Sequence, residues 1–301
     1  MEIMEGGIAV SDGATRASCL GWFNGTIGPR EAGAPSIASI NFHLGTSVFD
    51  GMIAYWNEDH YYLHRGEEHL RRFKEGAARM GLVFPWSVAE LLAGIYALLD
   101  GEPPGTQYVR PIAYRRSPEL WVTGNRHKPV DVSIFTVRIE RDCDRAIACH
   151  VSPIERISSR SIPAQTKVSG AYVNSFQARS AAEVPGFEDG IMLDREGGIT
   201  EASAANLFVI RNDTLVTPAL SAEIFPGITR LVVMEIAHAQ GIDVIETDLR
   251  APDLARISGA FLCSTLMEIR AMARLDDRQL ETLHLPLFNA ITRAFRRITH
   301  Q

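Results

Sequence analysis

Three groups of residues in this sequence are suited to chemistry. The first is Lys167, which lies in the stretch SIPAQTKVSGAYVNSFQAR between Ser161 and Arg179. It is the sole charged side chain of that stretch's interior, and none of its neighbours in sequence is an acid. A lysine in water titrates near ~10.4 and is protonated at neutral pH. A desolvated lysine has a lowered pKa and becomes a nucleophile toward carbonyls and a Schiff-base former. Lysines are mostly exposed, so this segment alone also fits an ordinary loop lysine after Pro163. The second group is FPGITRLVV, where Pro226-Gly227 allows a sharp turn and Ile228-Thr229 open a helix. Unpaired amides at a helix start, with a hydroxyl at the N-cap, suit a phosphate, although an N-capping threonine is common in its own right. The third is Glu201 in GGITEASAANLFVI, a carboxylate where a strand ends among small residues. Taken singly, each has an ordinary structural explanation.

The elements that carry these groups follow from periodicity and punctuation. Trp22-Phe23 followed by Asn24-Gly25 reads as a strand entering a hairpin turn. Thr46 to Trp56 is strand-like but broken at Asp50-Gly51, and Tyr61 to Leu63 gives another strand. The spacing of Leu70, Phe73, Ala77 and Met80 predicts a helix through HRGEEHLRRFKEGAARMGL that ends at Gly81. Val88 to Leu99 predicts a second helix, and Tyr108 to Tyr114 and Val130 to Ile139 alternate as strands. RIERDCDR, Arg138 to Arg145, is charged and non-periodic and reads as a linker. After it come a strand over Ala146 to Ile154, a helix through AYVNSFQARSAAE, and a four-strand meander through GIMLD, ITE, AANLFVI and TLVTP. An amphipathic helix begins near Thr229 and ends at Gly241. DVIETD, AFLCST and ITRAFRRI add two strands and a terminal helix. The expected fold is α+β in two domains: an N-terminal extension (1–20), a smaller N-terminal domain (21–137), an interdomain linker (138–146) and a larger C-terminal domain (147–301). No GxGxxG follows a strand, so a dinucleotide site has no support.

Composition limits the classes. The 301 residues are 46% hydrophobic and 22% charged, as in globular proteins and not disordered or fibrous ones. No apolar run is long enough to span a bilayer. The first residues carry early acids and no apolar core, unlike a signal peptide, so the cytoplasm is the expected compartment. A net charge of -6 without a basic run argues against nucleic acid. Cys19, Cys143, Cys149 and Cys263 lack CxxC spacing, which argues against a zinc ribbon or a disulfide scaffold. His60, His64 and His69 have tempting spacings but no carboxylate-rich surroundings, and no metal site is expected.

WFNG, FHLGTSVFDGMIAYW, HRGEEHLRRF, YVRPIAY, TKVSGAY, GGITEASAANLFVI and FPGITR occur in an order and spacing that resembles the branched-chain amino-acid aminotransferases. These are class IV, fold-type IV enzymes that use pyridoxal 5′-phosphate. The resemblance runs from about Gly21 to the C-terminus. It implies a C-terminal domain with a β-barrel-like core and a homodimer with active sites at the subunit interface. Lys167 would form the internal aldimine and shuttle the proton, and Glu201 would pair with the pyridine nitrogen so that the ring serves as an electron sink. Tyr172 would hydrogen-bond the phenolic oxygen, and Phe225 would pack on the ring. Gly227, Ile228 and Thr229 would hold the phosphate, with Arg72 and Thr265 completing the cup. Among substrate contacts, Tyr108 and the backbone near Thr265 and Leu266 would take the α-carboxylate. Arg110, on the same strand face as Tyr108, would take the distal carboxylate of glutamate, and Phe49 would line the side-chain pocket. An arginine in the apolar strand YVRPIAY needs an anion or a partner in any case.

Several positions depart from the family pattern. Leu44 stands where a tyrosine precedes GTSVF, Leu266-Met267 replace a small pair, and VSGAY replaces a glycine-rich run after the lysine. ANLF (Ala205 to Phe208) replaces ENLF, and RRSPELWV (Arg115 to Val122) replaces a glycine-rich loop. The expected reaction is ping-pong transamination between a hydrophobic, branched-chain L-amino acid and a 2-oxo acid such as 2-oxoglutarate. Alternatives are a D-amino-acid or (R)-amine transaminase, an aminodeoxychorismate lyase-like enzyme sharing the AANLF variant, and a non-catalytic protein of the same fold.

Overall fold

The structure, a computed structural model, describes residues 8–9, 20–118, 121–122, 128–141, 144–220 and 223–299. Most of the 1–20 extension, Cys143 and the centre of RRSPELWV lie outside these residues. The chain divides into two compact units, one running to Glu140 and including Thr166–Ala171, the other comprising Arg141–Gln165 and Tyr172 onward. The excursion of Thr166–Ala171 has its cause in a set of backbone bonds to the residues before Asp50, detailed with the site below.

A short ladder pairs β1 (Ile8–Ala9) with β9 (Glu140–Arg141). The sheet of the first unit has the order β3-β2-β8-β7-β5-β6, with β4 also paired to β7, and every described pairing in it is antiparallel. Its strands are β2 (Leu20–Phe23), β3 (Thr26–Pro29), β4 (Val48–Phe49), β5 (Met52–Asn57), β6 (His60–Leu63), β7 (Gln107–Tyr114) and β8 (Asp131–Arg138). The hairpin turns at Asn24-Gly25, and Asp50-Gly51 separates β4 from β5 as the sequence indicates. A short helix, α1 (Ile40–Leu44), precedes β4. α2 (Gly66–Arg79) buries His69, Leu70, Phe73 and Ala77 along one face and carries Glu67 and Glu68 in its first turn, where acids favour the helix dipole. α3 (Val88–Leu99) starts with a capping box in which Ser87 and Glu90 satisfy each other's amides. α2 and α3 pack together, α2 also against β4 and α3 against β2 and β8, so the helices close one face of the sheet.

The second unit is built on a ten-stranded mixed sheet ordered β15-β14-β13-β17-β18-β10-β11-β12-β16, with β19 (Arg278–Gln279) added to β18. The strands are β10 (Ile147–Val151), β11 (Asp189–Leu193), β12 (Gly198–Ala202), β13 (Asn206–Arg211), β14 (Thr214–Pro218), β15 (Val244–Thr247), β16 (Leu249–Arg250), β17 (Gly259–Ser264) and β18 (Glu268–Leu275). Side chains from β10 to β14 and β16 to β18, among them Ile147, Ile191, Ile199, Val209, Val216, Leu249, Leu262 and Met272, meet in one cluster, as in a barrel interior. Phe208, Leu215, Phe261 and Ala271, which alternate with those residues, form a second cluster with α5 (Ile228–Ala239) and α6 (Pro286–Thr299). This is the period-2 logic of a sheet with two buried faces. α4 (Tyr172–Glu183) follows a one-turn helix at Ser169–Ala171. Among the described residues no helix is long and apolar enough to cross a membrane.

Candidate active site

Of the sequence-predicted site residues, Phe49, Arg72, Tyr108, Arg110 and Lys167 fall in the first unit. Tyr172, Glu201, Phe225, Gly227, Ile228, Thr229, Thr265 and Leu266 fall in the second.

In the first unit the chain around Lys167 is stitched to the chain around β4. The Lys167 carbonyl accepts from the Phe49 amide at 3.0 Å, and Ser169 and Gly170 donate to the carbonyls of Ser47 and Gly45. Val48 and Val168 form a β-bridge, and the Ser47 and Ser169 hydroxyls are 2.7 Å apart. The lysine's backbone position is therefore fixed by strand-like pairing, and its side chain is half-buried, unlike that of a solvated loop lysine.

Beside it sits a buried ion cluster. Arg72 Nε and Nη2 donate to the two carboxylate oxygens of Asp50, both at 2.8 Å, and His69 Nδ1 lies 2.9 Å from Asp50 Oδ1. Asp50 also accepts from the Gly51 amide at 2.7 Å. Burial alone would raise the Asp50 carboxyl, but the Arg72 charge and the His69 hydrogen bond hold it far below the usual carboxylate range. Burial pushes the His69 imidazole down, against the pull of Asp50. From the sequence, Arg72 is expected to grip a phosphate through its fork; in the structure the Nε–Nη2 edge of that fork is engaged by Asp50. Neither Asp50 nor His69 stands out in sequence, because their partner lies 22 and 3 residues away and nothing local marks the pairing.

Tyr108 and Arg110, two apart on β7, share a face. Arg110 Nη2 donates to the Tyr108 hydroxyl at 2.7 Å, and its guanidinium lies 4.7 Å above the Phe49 ring and 5.0 Å above the Tyr108 ring. Burial raises the Tyr108 phenol, opposed by the positive charges of Arg110 and Lys167. Gly51 makes this approach possible, since a Cβ there would stand 1.9 Å from the Tyr108 hydroxyl oxygen. The cluster offers aromatic surface and a fixed cation side by side.

In the second unit Glu201, on β12 and 6% exposed, is the centre of a hydrogen-bond network. Arg156 Nε donates to Oε1 at 2.8 Å, while Asn206 Nδ2 at 3.1 Å and the Phe225 amide at 3.3 Å donate to Oε2. Asn206 also donates to the Phe225 carbonyl, which fixes the FPG turn beside the carboxylate. Gly227 is required there, because a Cβ would meet Asn206 Oδ1 at 2.0 Å. Gly227, not Thr229, is the N-cap of α5, and no side chain caps it; Thr229 is the second residue of the helix and is buried. The backbone turn at Pro226-Gly227 starts the helix earlier than a threonine cap would. Uncapped amides at the start of a twelve-residue helix form an anion-accepting end. Thr265 and Leu266 are half-buried in the turn between β17 and β18, where the Met267 amide donates to the Ser264 hydroxyl. Met267 itself turns into the interior cluster, so of the unusual Leu266-Met267 pair only Leu266 remains to shape the turn's outer surface.

Unit by unit, these donors fit parts of pyridoxal phosphate. A helix start suits the phosphate, a buried ionisable carboxylate suits the ring nitrogen, and the lysine amine suits the carbonyl.

The comparisons with known proteins agree. The profile of the family described as "Amino-transferase class IV" matches residues 47–275. The chain is 32% identical over 265 residues to the "Probable branched-chain-amino-acid aminotransferase" of Aquifex aeolicus, covering 86% of this chain and 85% of that protein. Among solved structures it resembles the branched-chain aminotransferase from Thermoproteus uzoniensis with norvaline, with a TM-score of 0.89 and 29% identity, over 94% of this chain and 95% of that one. It also resembles the branched-chain amino acid aminotransferase of Escherichia coli, with a TM-score of 0.87 and 27% identity, over 95% of each chain. The chain belongs to the class IV aminotransferases and is a pyridoxal-phosphate-dependent transaminase.

Proposed function

We propose that this enzyme transaminates branched-chain L-amino acids, with L-glutamate and 2-oxoglutarate as the second substrate pair, by a ping-pong reaction. The observation that carries the substrate reading is the Phe49–Tyr108–Arg110 cluster, which joins aromatic surface to a fixed guanidinium. An apolar side chain is accepted by the rings, and a distal carboxylate by Arg110. Two substrates of opposite polarity are what a branched-chain aminotransferase must take in turn, and the related proteins' names support the same reading.

The two residue sets serve one cofactor, an assignment that rests on family membership and on the chemistry of each set. Pyridoxal phosphate, when bound, withdraws the electrons left behind as a proton departs the carbon bearing the amino group. Lys167 Nζ would hold the cofactor through its carbonyl carbon at rest and would carry the proton to and from substrate Cα. Glu201 would keep the ring nitrogen protonated through an opposite charge. The amides of Ile228 and Thr229 after Gly227, with Arg72 and Thr265, would bind the phosphate. Tyr172 would donate to the phenolic oxygen, and Phe225 would pack on the ring. Tyr108 and the backbone at Thr265 and Leu266 orient the substrate α-carboxylate.

The enzyme works as a homodimer with its active sites at the subunit interface. Apolar side chains such as Ile37, Phe42, Val173 and Phe176, which are largely exposed in the single chain, support association. The unbridged, buried Cys149 and Cys263 are consistent with a reducing cytoplasm.

An amino-donor panel tests the proposal. L-leucine and L-glutamate are expected to convert bound pyridoxal phosphate to pyridoxamine phosphate within a single turnover, while D-alanine and an (R)-amine leave it unchanged. Conversion by D-alanine or the (R)-amine alone would overturn the stereochemical reading. Release of pyruvate from aminodeoxychorismate without conversion by any donor would replace transamination with the lyase.

A further inference from the structure

Arg156 is a half-buried arginine outside the motifs that define the family resemblance, and its position is constrained by several hydrogen bonds. Its amide donates to the Leu193 carbonyl at 2.8 Å. Asn174, on the first turn of α4, brackets it by accepting from the Ile157 amide at 3.0 Å and donating to the Glu155 carbonyl at 2.7 Å. Two residues further on, Glu223 accepts from the Ser158 hydroxyl and from the amide and hydroxyl of Ser159, which ties this loop to the segment leading into the FPG turn. The outcome is a side chain 9% exposed, with Nε 2.8 Å from Glu201 Oε1.

Both Glu201 oxygens thus accept from donors: Oε1 from Arg156 Nε, and Oε2 from Asn206 Nδ2 and the Phe225 amide. A protonated carboxyl would aim its own hydrogen at one of these donors, so the arrangement favours the carboxylate. Desolvation works the other way, since a buried carboxylate without a counter-charge loses several kcal/mol of hydration, on the order of the buried-ion penalty, and neutralises instead. Arg156 supplies that counter-charge. Its own positive charge also opposes a protonated ring nitrogen nearby, but a neutral Glu201 would give that nitrogen no counter-ion at all, and this is the larger effect.

We infer that Arg156 is a positioning residue that holds Glu201 ionised and in register, so that the cofactor's ring nitrogen stays protonated. The inference rests on the role given to Glu201 above. It is tested in the full-length protein with R156M, R156K, E201Q and the double variant R156M/E201Q. The readouts are the 13C shift of the Glu201 carboxyl in cofactor-free protein and the 15N shift of ring-labelled pyridoxal phosphate in the holoenzyme. The wild type is expected to show a carboxylate and a protonated nitrogen. R156M moves the carboxyl resonance to the neutral position and the ring nitrogen to its unprotonated position, and lowers kcat roughly tenfold or more, the loss of a charge-assisted hydrogen bond. R156K retains both wild-type shifts and recovers most of the turnover. An R156M protein with both wild-type shifts would overturn the inference. If E201Q leaves the ring nitrogen unchanged, the role of Glu201 itself fails, a result distinct from failure of Arg156 alone. Should R156M not fold, a folded R156M/E201Q protein supports the inference, because the lone buried charge was the fault. A double variant that also fails to fold overturns it, because Arg156 then serves packing.

Discussion

Asp50 answers two needs with one carboxylate: it neutralises the half-buried Arg72 and orients the helix face that presents Arg72 and His69. An asparagine there keeps the shape but removes the charge. We expect D50N to lose about 3–5 kcal/mol of stability, the range for breaking one partner of a buried ion pair, as read by denaturant unfolding. Cofactor affinity should fall with it, because Arg72 is no longer held by its fork; unchanged unfolding and unchanged affinity would mean that Asp50 does neither. On the other side of the chemistry, E201Q should retain the fold and lower kcat by about 10²–10³-fold, the scale of losing one preorganised electrostatic contact, checked by steady-state assay with L-leucine. Residues of this kind differ in how far the sequence reveals them. Lys167, Glu201 and the FPGITR turn are picked out because their stretches occur together, in the order and spacing of the family's motifs, although each alone has an ordinary explanation. Asp50, His69 and Arg156 are not, since what identifies them is a partner reached through the fold: Glu201 lies 45 residues from Arg156.

Helix α2 carries both His69 and Arg72, and this gives its packing a pH dependence. Burial sets the folded His69 below its ordinary value, so as pH falls below about 6.5 the unfolded chain takes up a proton first. His69's contribution to stability is therefore present above that pH and lost as pH drops toward its folded value. Asp50 is depressed relative to an unfolded value near ~3.9, so its contribution persists across this range and is lost only in stronger acid. Melting curves at decreasing pH between about 7 and 5 should show a falling Tm that is flatter in H69Q. An equal slope in both proteins would assign the effect elsewhere. At this scale much of the fold is legible: α2, α3 and α5 follow apolar spacing between strong breakers, and the β2–β3 hairpin follows Asn24-Gly25. β18 is missed because Glu268, Arg270 and Arg274 interrupt the apolar alternation, yet Glu268 and Arg270 are buried in the sheet. Sequence polarity fails there because burial was decided by strand order, with β18 paired to both β17 and β10. The return of Thr166–Ala171 to the first unit is hidden for a similar reason, as backbone bonds to Gly45, Ser47 and Phe49 carry no side-chain signature.

For the whole molecule, the proposed homodimer predicts that light scattering gives twice the chain mass at assay concentrations, and that dilution to monomer abolishes turnover. A monomer with full activity would contradict it. All of the proposed chemistry, however, depends on Lys167 carrying the cofactor, and the composition makes this directly testable. The chain's lysines are Lys74, Lys128 and Lys167, and the Lys74 ammonium is already hydrogen-bonded to the Trp86 carbonyl. Borohydride reduction of the holoenzyme, followed by proteolysis and mass spectrometry, reads which lysine is joined to pyridoxal phosphate. The predicted result is one stoichiometric adduct on the peptide containing Lys167, absent in K167R. An adduct on Lys74 or Lys128, or a protein that takes up no cofactor, would contradict the assignment.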